Sequence, residues 1–397
     1  GKTMSFNSTP SAERVHIGFF GLRNAGKSSV VNAVTAQELS LVSDVKGTTT
    51  DPVRKAMELL PIGPVVIIDT PGTDDEGALG EQRVKRAMKT LDETDIAVLV
   101  IDAKKGETQA DEELKKLITE RKIPLITVYN KADLLSAVPT AGENTLYVSA
   151  ASGTNIFELK EMLGRIAADG KKEKRLIGDL LQKDDIVVLV TPIDESAPKG
   201  RMILPQQQTI RDVLDSDAVC LVTKETQLET LLSSLPKKPR LVVTDSQAFG
   251  FVNKVVPKDI PLTSFSMLFA RYKGDLFALA DGADTLDKLR DGDRVLISEG
   301  CTHHRQCNDI GTVKLPNWVS KYTGKNLVFD FTSGRDFPED VSEYSLVIHC
   351  GGCMLNDAEI SSRAKRAKAQ GVPMTNYGTA IAKMHGILER AIKPLKK

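Results

Sequence analysis

Short apolar runs recur along this chain, each bounded by turn residues and separated by segments with helical spacing. In the first part they fall at residues 15–20, 65–68, 96–101 and 125–128. Runs this continuous predict strands buried on both faces, and their alternation with helices predicts a parallel, doubly wound sheet. Helical spacing over 156–168 closes that unit, and the charged stretch 169–175 predicts a flexible linker. Apolar, β-branched runs resume at 186–190, 218–222 and 241–243, with helical patterns at 206–214 and 227–235. They predict a second, smaller α/β unit. Beyond it, 267–289 reads as largely helical with an interruption around Gly282. Strands follow near Val295, at 327–331 and near Leu346, with helices at 357–370 and 378–392. The expected fold class is α/β throughout: an N-terminal domain over 1–170, then two smaller α/β domains, 178–264 and 265–397, with mainly parallel sheets. No long internal repeat is visible, only a strand-then-cysteine device used twice.

At 397 residues the chain exceeds one ordinary core, in keeping with that division. Hydrophobic residues make up 41%, and no apolar run approaches a membrane span, so no membrane association is expected. No secretory signal opens the chain, and Gly1-Lys2-Thr3 ahead of Met4 reads as a cloning remnant. Lys+Arg and Asp+Glu both number 53 and aromatics are 5%, which argues against a nucleic-acid surface built on basic excess. The cysteines number 5 and four of them cluster late, which suits a reducing cytoplasm and a metal site better than a disulfide framework.

Two of the late strands end in thiols. Val295-Leu296-Ile297-Ser298-Glu299-Gly300 leads into Cys301, and Ser345-Leu346-Val347-Ile348-His349 leads into Cys350-Gly351-Gly352-Cys353. Open α/β sheets place their ligands at the carboxyl ends of parallel strands. Three thiols converging there make a soft donor set suited to an iron–sulfur cluster or to zinc, not to magnesium or calcium. His303, His304, Cys307 and Asp309 offer further donors nearby. Cys307 could complete an all-thiolate site, whereas Asp309 would be a hard and easily displaced oxygen ligand. His349 precedes Cys350 on the strand and should face away from it. Cys220 lies mid-strand and reads as a small core residue.

The N-terminal domain carries different chemistry. Gly21-Leu22-Arg23-Asn24-Ala25-Gly26-Lys27-Ser28, followed by Ser29, lies between the first strand and a helix starting near Lys27. This is the phosphate-binding loop in its expected place. Gly21 and Gly26 permit the turn, so that backbone N–H groups along Asn24, Ala25, Gly26, Lys27, Ser28 and Ser29 can surround phosphates. Lys27 reaches the β and γ oxygens, and Ser28 offers its hydroxyl to Mg²⁺. Asp69-Thr70-Pro71-Gly72 ends the second strand, placing Asp69 by the Mg²⁺ shell and the Gly72 N–H by the γ-phosphate. Asn130-Lys131-Ala132-Asp133 follows the fourth strand. The Asp133 carboxylate can accept the paired N–H groups of guanine, and the Lys131 stem can lie along the ring. Ser149 and Ala150 form a small-residue turn that can approach the base. Motifs in this order predict GTP, not ATP.

These motifs resemble the translation-factor-like GTPases, most closely the tRNA-modification and Era-like branch. The resemblance implies that 46–51 is the first switch, where Thr49, beside Thr48, completes the Mg²⁺ shell. Lys27, Thr49, Asp69 and Gly72 then form the expected catalytic set. It also implies that Asn24 helps hold a K⁺ that stimulates hydrolysis. Thr73 follows Gly72 where Ras-like enzymes carry a water-orienting glutamine, so turnover should be slow.

Across the whole chain, a GTPase domain in front and Cys-x-His…His-Cys-x-x-Cys behind resemble the FeFe-hydrogenase maturation GTPases, the HydF family. The resemblance implies that Cys301, Cys350 and Cys353 hold a 4Fe–4S cluster whose fourth site is weakly or variably ligated. His303 and Asp309 are the candidates for that site. It further implies a cytoplasmic, homodimeric scaffold that receives a diiron precursor from radical-SAM maturation enzymes and delivers it to apo FeFe-hydrogenase. The three domains would then bind GTP (1–170), dimerise or connect (178–264) and hold the cluster (265–397). The alternative is an Era-like, RNA-associated GTPase with zinc at the thiols, which the balanced charge disfavours.

Overall fold

The computed structural model describes residues 13–36, 52–70, 87–170, 174–192, 202–300, 309–334, 336–351 and 355–396. Two compact units divide the chain, Gly1–Glu173 and Lys174–Lys397.

The first unit is built on strands β1 (Val15–Gly21), β2 (Val53–Leu59), β3 (Gly63–Asp69), β4 (Ile96–Asp102), β5 (Leu125–Asn130) and β6 (Thr145–Tyr147). They lie in the order β2-β3-β1-β4-β5-β6, parallel except for the antiparallel β2–β3 pair. Every residue of β4 is buried, which accounts for its unbroken apolar run. Successive side chains serve opposite faces. Val98 and Val100 join the core beneath the helices Lys27–Thr35 and Ile156–Gly170, while Ala97, Leu99 and Ile101 join Ile118 of the helix Gln109–Glu120 on the other face. Strand β2 has no counterpart among the expected runs. It is an edge strand carrying Arg54, Lys55 and Glu58, charges that guard an open edge but break the apolar signal.

The second unit holds two sheets, all parallel. One uses β7 (Ile186–Val190), β8 (Val219–Thr223), β9 (Leu241–Thr244) and β10 (Leu262–Ser264). The other uses β11 (Arg294–Glu299), β12 (Val328–Ser333), β13 (Leu346–His349) and β14 (Met374–Asn376). Their orders, β10-β9-β7-β8 and β12-β11-β13-β14, are the same arrangement, with the first strand between the second and the third.

The likeness extends to details and amounts to an internal duplication that the apolar pattern does not reveal. Gln182 N–H donates to Asp185 ahead of β7, and Arg290 N–H donates to Asp293 ahead of β11, both at 2.8 Å. Pro261-Leu262-Thr263-Ser264-Phe265-Ser266 and Pro373-Met374-Thr375-Asn376-Tyr377-Gly378 each end a fourth strand and cap the helix that follows. Thr263 Oγ1 donates to the Ala391 carbonyl at 2.7 Å, and its counterpart Thr375 donates to the Leu279 carbonyl at 2.8 Å. Leu279 and Ala391 are themselves counterparts, so the two halves clasp each other reciprocally.

The helix break expected around Gly282 lies earlier. The helices Phe265–Lys273 and Leu276–Ala283 part at Gly274, and Asp275 caps the second of them. Gly282 stays helical because its role is close approach: a Cβ there would fall 2.0 Å from the Met374 carbonyl oxygen. Likewise the expected helix over 378–392 is two, Tyr377–Met384 and Leu388–Ile392, parting at Gly386, the counterpart of Gly274. The core of the first sheet includes Ala382, Ile387, Leu388, Ala391, Ile392 and Leu395 from the end of the chain. Cys220 is half-buried on β8 against that core, and burial pushes its thiol up to about 11. Among the described residues no helix is long and apolar enough to cross a membrane.

Candidate functional site

Strand β1 ends at Gly21 and the helix Lys27–Thr35 begins six residues later, so the loop between them crosses the carboxyl edge of the sheet. Gly26 sits at φ 79 as the helix cap, and a Cβ there would fall 2.5 Å from Asn130 Nδ2. Only glycine meets both demands. Ser28 and Ser29 are exposed on the first helical turn, where unpaired N–H groups and the helix dipole attract phosphate. Lys27, 2% exposed, lies 2.9 Å from Asp69 Oδ1 and 3.4 Å from Thr70 Oγ1 at the end of β3. Burial pulls the Lys27 amine below the ordinary lysine value, and Asp69 opposes that pull. An incoming phosphate would exchange one anionic partner of Lys27 for another.

The loop is braced from the next strands. Asn130 Nδ2 donates to the Ala25 carbonyl at 2.9 Å, and its Oδ1 accepts the Ala150 N–H at 3.1 Å. One side chain thus ties the phosphate loop to the small-residue turn. Ser149 is buried, and its hydroxyl accepts the Ser152 N–H at 3.2 Å, shaping that turn. Lys131 adopts φ 66, unusual for a side-chain-bearing residue, and donates to the Asn24 carbonyl and to Asp102, both at 2.6 Å. Asp133 is exposed beside it, as is the Asn24 side chain. The structure therefore gathers Asn24, Ala25, Gly26, Lys27, Ser28, Asp69, Asn130, Lys131, Ser149 and Ala150 around one edge. Thr49 and Gly72, with their neighbours Thr48 and Thr73, lie outside the described residues.

Asp102, at the end of β4, was not anticipated. It accepts N–H groups from Lys104 and Lys105 as well as the Lys131 ammonium. Burial would raise its carboxyl, but Lys131 and the two N–H groups outweigh it and hold the carboxyl below the usual range. An acid closing a wholly apolar strand, level with Asn130 on the neighbouring strand, was the available signal.

At the second unit, β11 and β13 are parallel neighbours, with Ser298 level with His349. The ladder continues one step: Cys350 N–H donates to the Ser298 carbonyl at 2.8 Å, and Gly300 N–H donates to Cys350 Sγ at 3.0 Å. Cys350 thus lies against the Glu299–Gly300 peptide, at the end of the described strand that leads toward Cys301 in sequence. Cys301, His303, His304, Cys307 and Cys353 lie outside the described residues. Asp309 opens the helical segment Asp309–Lys314. Among the described residues no three His, Cys, Asp or Glu side chains form a metal-holding group.

His349 is 1% exposed, its Nδ1 2.7 Å from the Cys350 carbonyl and its Nε2 2.9 Å from Arg363 Nη1. Burial and the Arg363 charge push it down to about 4, so the ring is neutral at neutral pH. Arg363 is itself buried, and burial lowers it from the usual arginine value while Glu359 and Cys350 raise it. Glu299, which closes β11, is buried and accepts the Tyr377 hydroxyl at 3.2 Å. Burial raises its carboxyl above the usual range. Lys273, also buried, donates to the Leu355 carbonyl at 2.9 Å, two residues past Cys353. A backbone donor on the Cys350 sulfur and buried cations nearby suit an anionic sulfur centre, so the described surroundings of Cys350 fit a thiolate ligand to a cluster. Arg363, Glu359, Glu299 and Lys273 were missed because Glu359 and Arg363, four apart on a helix, look like a solvated surface pair.

Three family models match the chain in sequence: a 50S ribosome-binding GTPase over residues 16–131, the hydrogen maturase F dimerization domain over 176–274, and the hydrogen maturase F tetramerization domain over 276–394. The tRNA modification GTPase MnmE of Nitrosomonas europaea is 34% identical over 160 residues, covering 39% of this chain and 35% of that protein. GTPase Der of Kosmotoga olearia is 31% identical over 182 residues, covering 42% and 41%. The chain thus spans well under half the length of these relatives. Among solved structures, a probable GTP-binding protein engB is 26% identical, with a TM-score of 0.32, covering 39% of this chain and all of that one. Era of Aquifex aeolicus bound to GDP.AlF4- is 16% identical, with a TM-score of 0.32, covering 81% and 94%.

Proposed function

The chain belongs to the hydrogen maturase F family, a P-loop GTPase domain followed by that family's dimerization and tetramerization domains, and from that premise we propose a GTP-hydrolysing scaffold for FeFe-hydrogenase maturation. In this reading it carries a 4Fe–4S cluster and passes a diiron precursor, its cargo, from radical-SAM enzymes to apo-hydrogenase in the cytoplasm. It works as a homodimer or a higher oligomer, its domains divided at 1–170, 178–264 and 265–397. The observation that carries it is the Gly300 N–H on Cys350 Sγ, which brings the thiol of one strand against the strand leading into Cys301.

Lys27 holds the β and γ phosphates, Ser28, Thr49 and Asp69 hold the Mg²⁺ shell, and the Gly72 N–H meets the γ-phosphate. Ala25, Gly26 and Ser29 contribute backbone N–H groups, and Asn24 a K⁺ ligand. Asn130 and Ala150 shape the base pocket, Lys131 lines it and Asp133 reads guanine. Cys301, Cys350 and Cys353 hold the cluster, with His303 and Asp309 as candidates for its fourth position and Cys307 outside the set. When bound, the cluster supplies an exchangeable iron position suited to docking a precursor.

Anaerobically prepared protein should be brown, with labile sulfide and about four irons per chain. A colourless zinc protein would leave only the Era-like alternative. At the other site, Asp133→Asn should shift preference from guanine toward xanthine nucleotides, because an amide donates where the carboxylate accepted. Undiminished guanine preference in that variant would remove Asp133 from base recognition. Asp102→Asn should weaken GTP binding about tenfold, about 1.4 kcal/mol, by releasing Lys131. Nucleotide titration would show it, and unchanged affinity would make Asp102 a bystander.

A further inference from the structure

We propose that Arg363 is a positioning residue for the thiol site: its buried guanidinium locks His349 as a non-ligand and keeps a fixed positive charge behind Cys350. This rests on the cluster-binding reading above.

A guanidinium has only donors. With Arg363 Nη1 2.9 Å away, His349 Nε2 must supply a lone pair and carries no proton. The ring proton therefore sits on Nδ1, which donates to the Cys350 carbonyl at 2.7 Å. Both ring nitrogens are spent, and neither is available to iron unless the contact with Arg363 breaks. The other arm of Arg363 donates to the Gly334 carbonyl at 2.8 Å and to Glu359 at 3.1 Å, and the guanidinium lies over the Phe337 ring at 5.2 Å. These partners compensate a cation that is only 3% exposed. They also fasten three elements together, the turn after β12, the end of β13 and the helix Asp357–Ala369.

Three thiolates leave a cluster with net negative charge, and reduction adds to it. A fixed cation in a low-dielectric interior favours the reduced form, as does the Gly300 N–H on Cys350 Sγ. Glutamine at position 363 keeps donors and much of the bulk but removes the charge. The cluster should then be harder to reduce without being lost.

The full chain tests this at three points. In unaltered, metal-free protein, nitrogen NMR of labelled histidine should find His349 neutral with its proton on Nδ1. A proton on Nε2, or an imidazolium at neutral pH, overturns the proposal whatever the site binds. In reconstituted protein, Arg363→Gln should keep parental iron and be at least about tenfold harder to reduce, about 59 mV for one electron. Arg363→Lys should recover most of that shift, because it restores charge without the fork. A parental potential in Arg363→Gln overturns the electrostatic role. Should that variant not fold, an unrecovered potential in Arg363→Lys does the same. Nitrogen coupling in the cluster's spectrum that disappears in His349→Gln overturns the non-ligand assignment. Parental protein unable to take up iron would sink the cluster reading while leaving the tautomer result standing.

Discussion

Serine in place of Cys350 is expected to strip iron from the protein and end activation of apo-hydrogenase, with GTP turnover unchanged. A serine hydroxyl is a hard, mostly protonated donor at neutral pH, where the thiolate it replaces is soft and anionic. The Gly300 N–H would also lose its sulfur acceptor at 3.0 Å. Outer-shell changes alone weaken metal sites by about 10–100-fold, so loss of a direct thiolate should cut iron at least about tenfold. Cys301→Ser and Cys353→Ser should behave alike. The GTPase motifs belong to the other compact unit, which is why hydrolysis should persist. Cys307→Ser is the control. If it empties the site as thoroughly as Cys350→Ser, four thiolates hold the cluster and no iron position is left open for exchange.

Ending the chain at Gly386 should unfold the second unit as far as its first sheet, although the residues removed lie at the opposite end of that unit in sequence. Ile387, Leu388, Ile392 and Leu395 are each at most 9% exposed within the core of that sheet. At about 1.5–3 kcal/mol per side chain, their loss costs about 6–12 kcal/mol. That is comparable to the whole stability of an ordinary domain, about 5–15 kcal/mol. Thr263 would also lose its Ala391 acceptor. Thermal unfolding followed by circular dichroism should show the transition of the second unit missing and that of the GTPase unit kept. A parental transition for both would mean the dimerization region folds without the terminal helix.

The phosphate loop and the guanine motif were legible because each packs its chemistry into a few consecutive residues. The strands that carry them were legible because full burial demands unbroken apolar runs, as in β4. The thiol-bearing strand ends could be read for the same reason. Strand β2 was not, because an edge strand satisfies its outer face with charge and loses the pattern.

The sequence by itself determined the order of these local pieces: strand, loop, helix, the Asn130 to Asp133 motif, and two strands ending in cysteine. Local backbone demands, such as φ 79 at Gly26, are met by local residue choice. Only the tertiary structure decided what meets at long range. Asp102 reaches Lys131, Arg363 is buried against His349, and Thr263 and Thr375 clasp opposite halves of a duplicated unit. The halves share few side chains, because many apolar residues fill a strand position equally well. What they keep in common is hydrogen-bond roles, and a pattern of apolar and polar positions does not record those. An arginine four residues after a glutamate reads the same whether it faces water or a buried histidine, and only the packing of β12, β13 and the helix that covers them settles which.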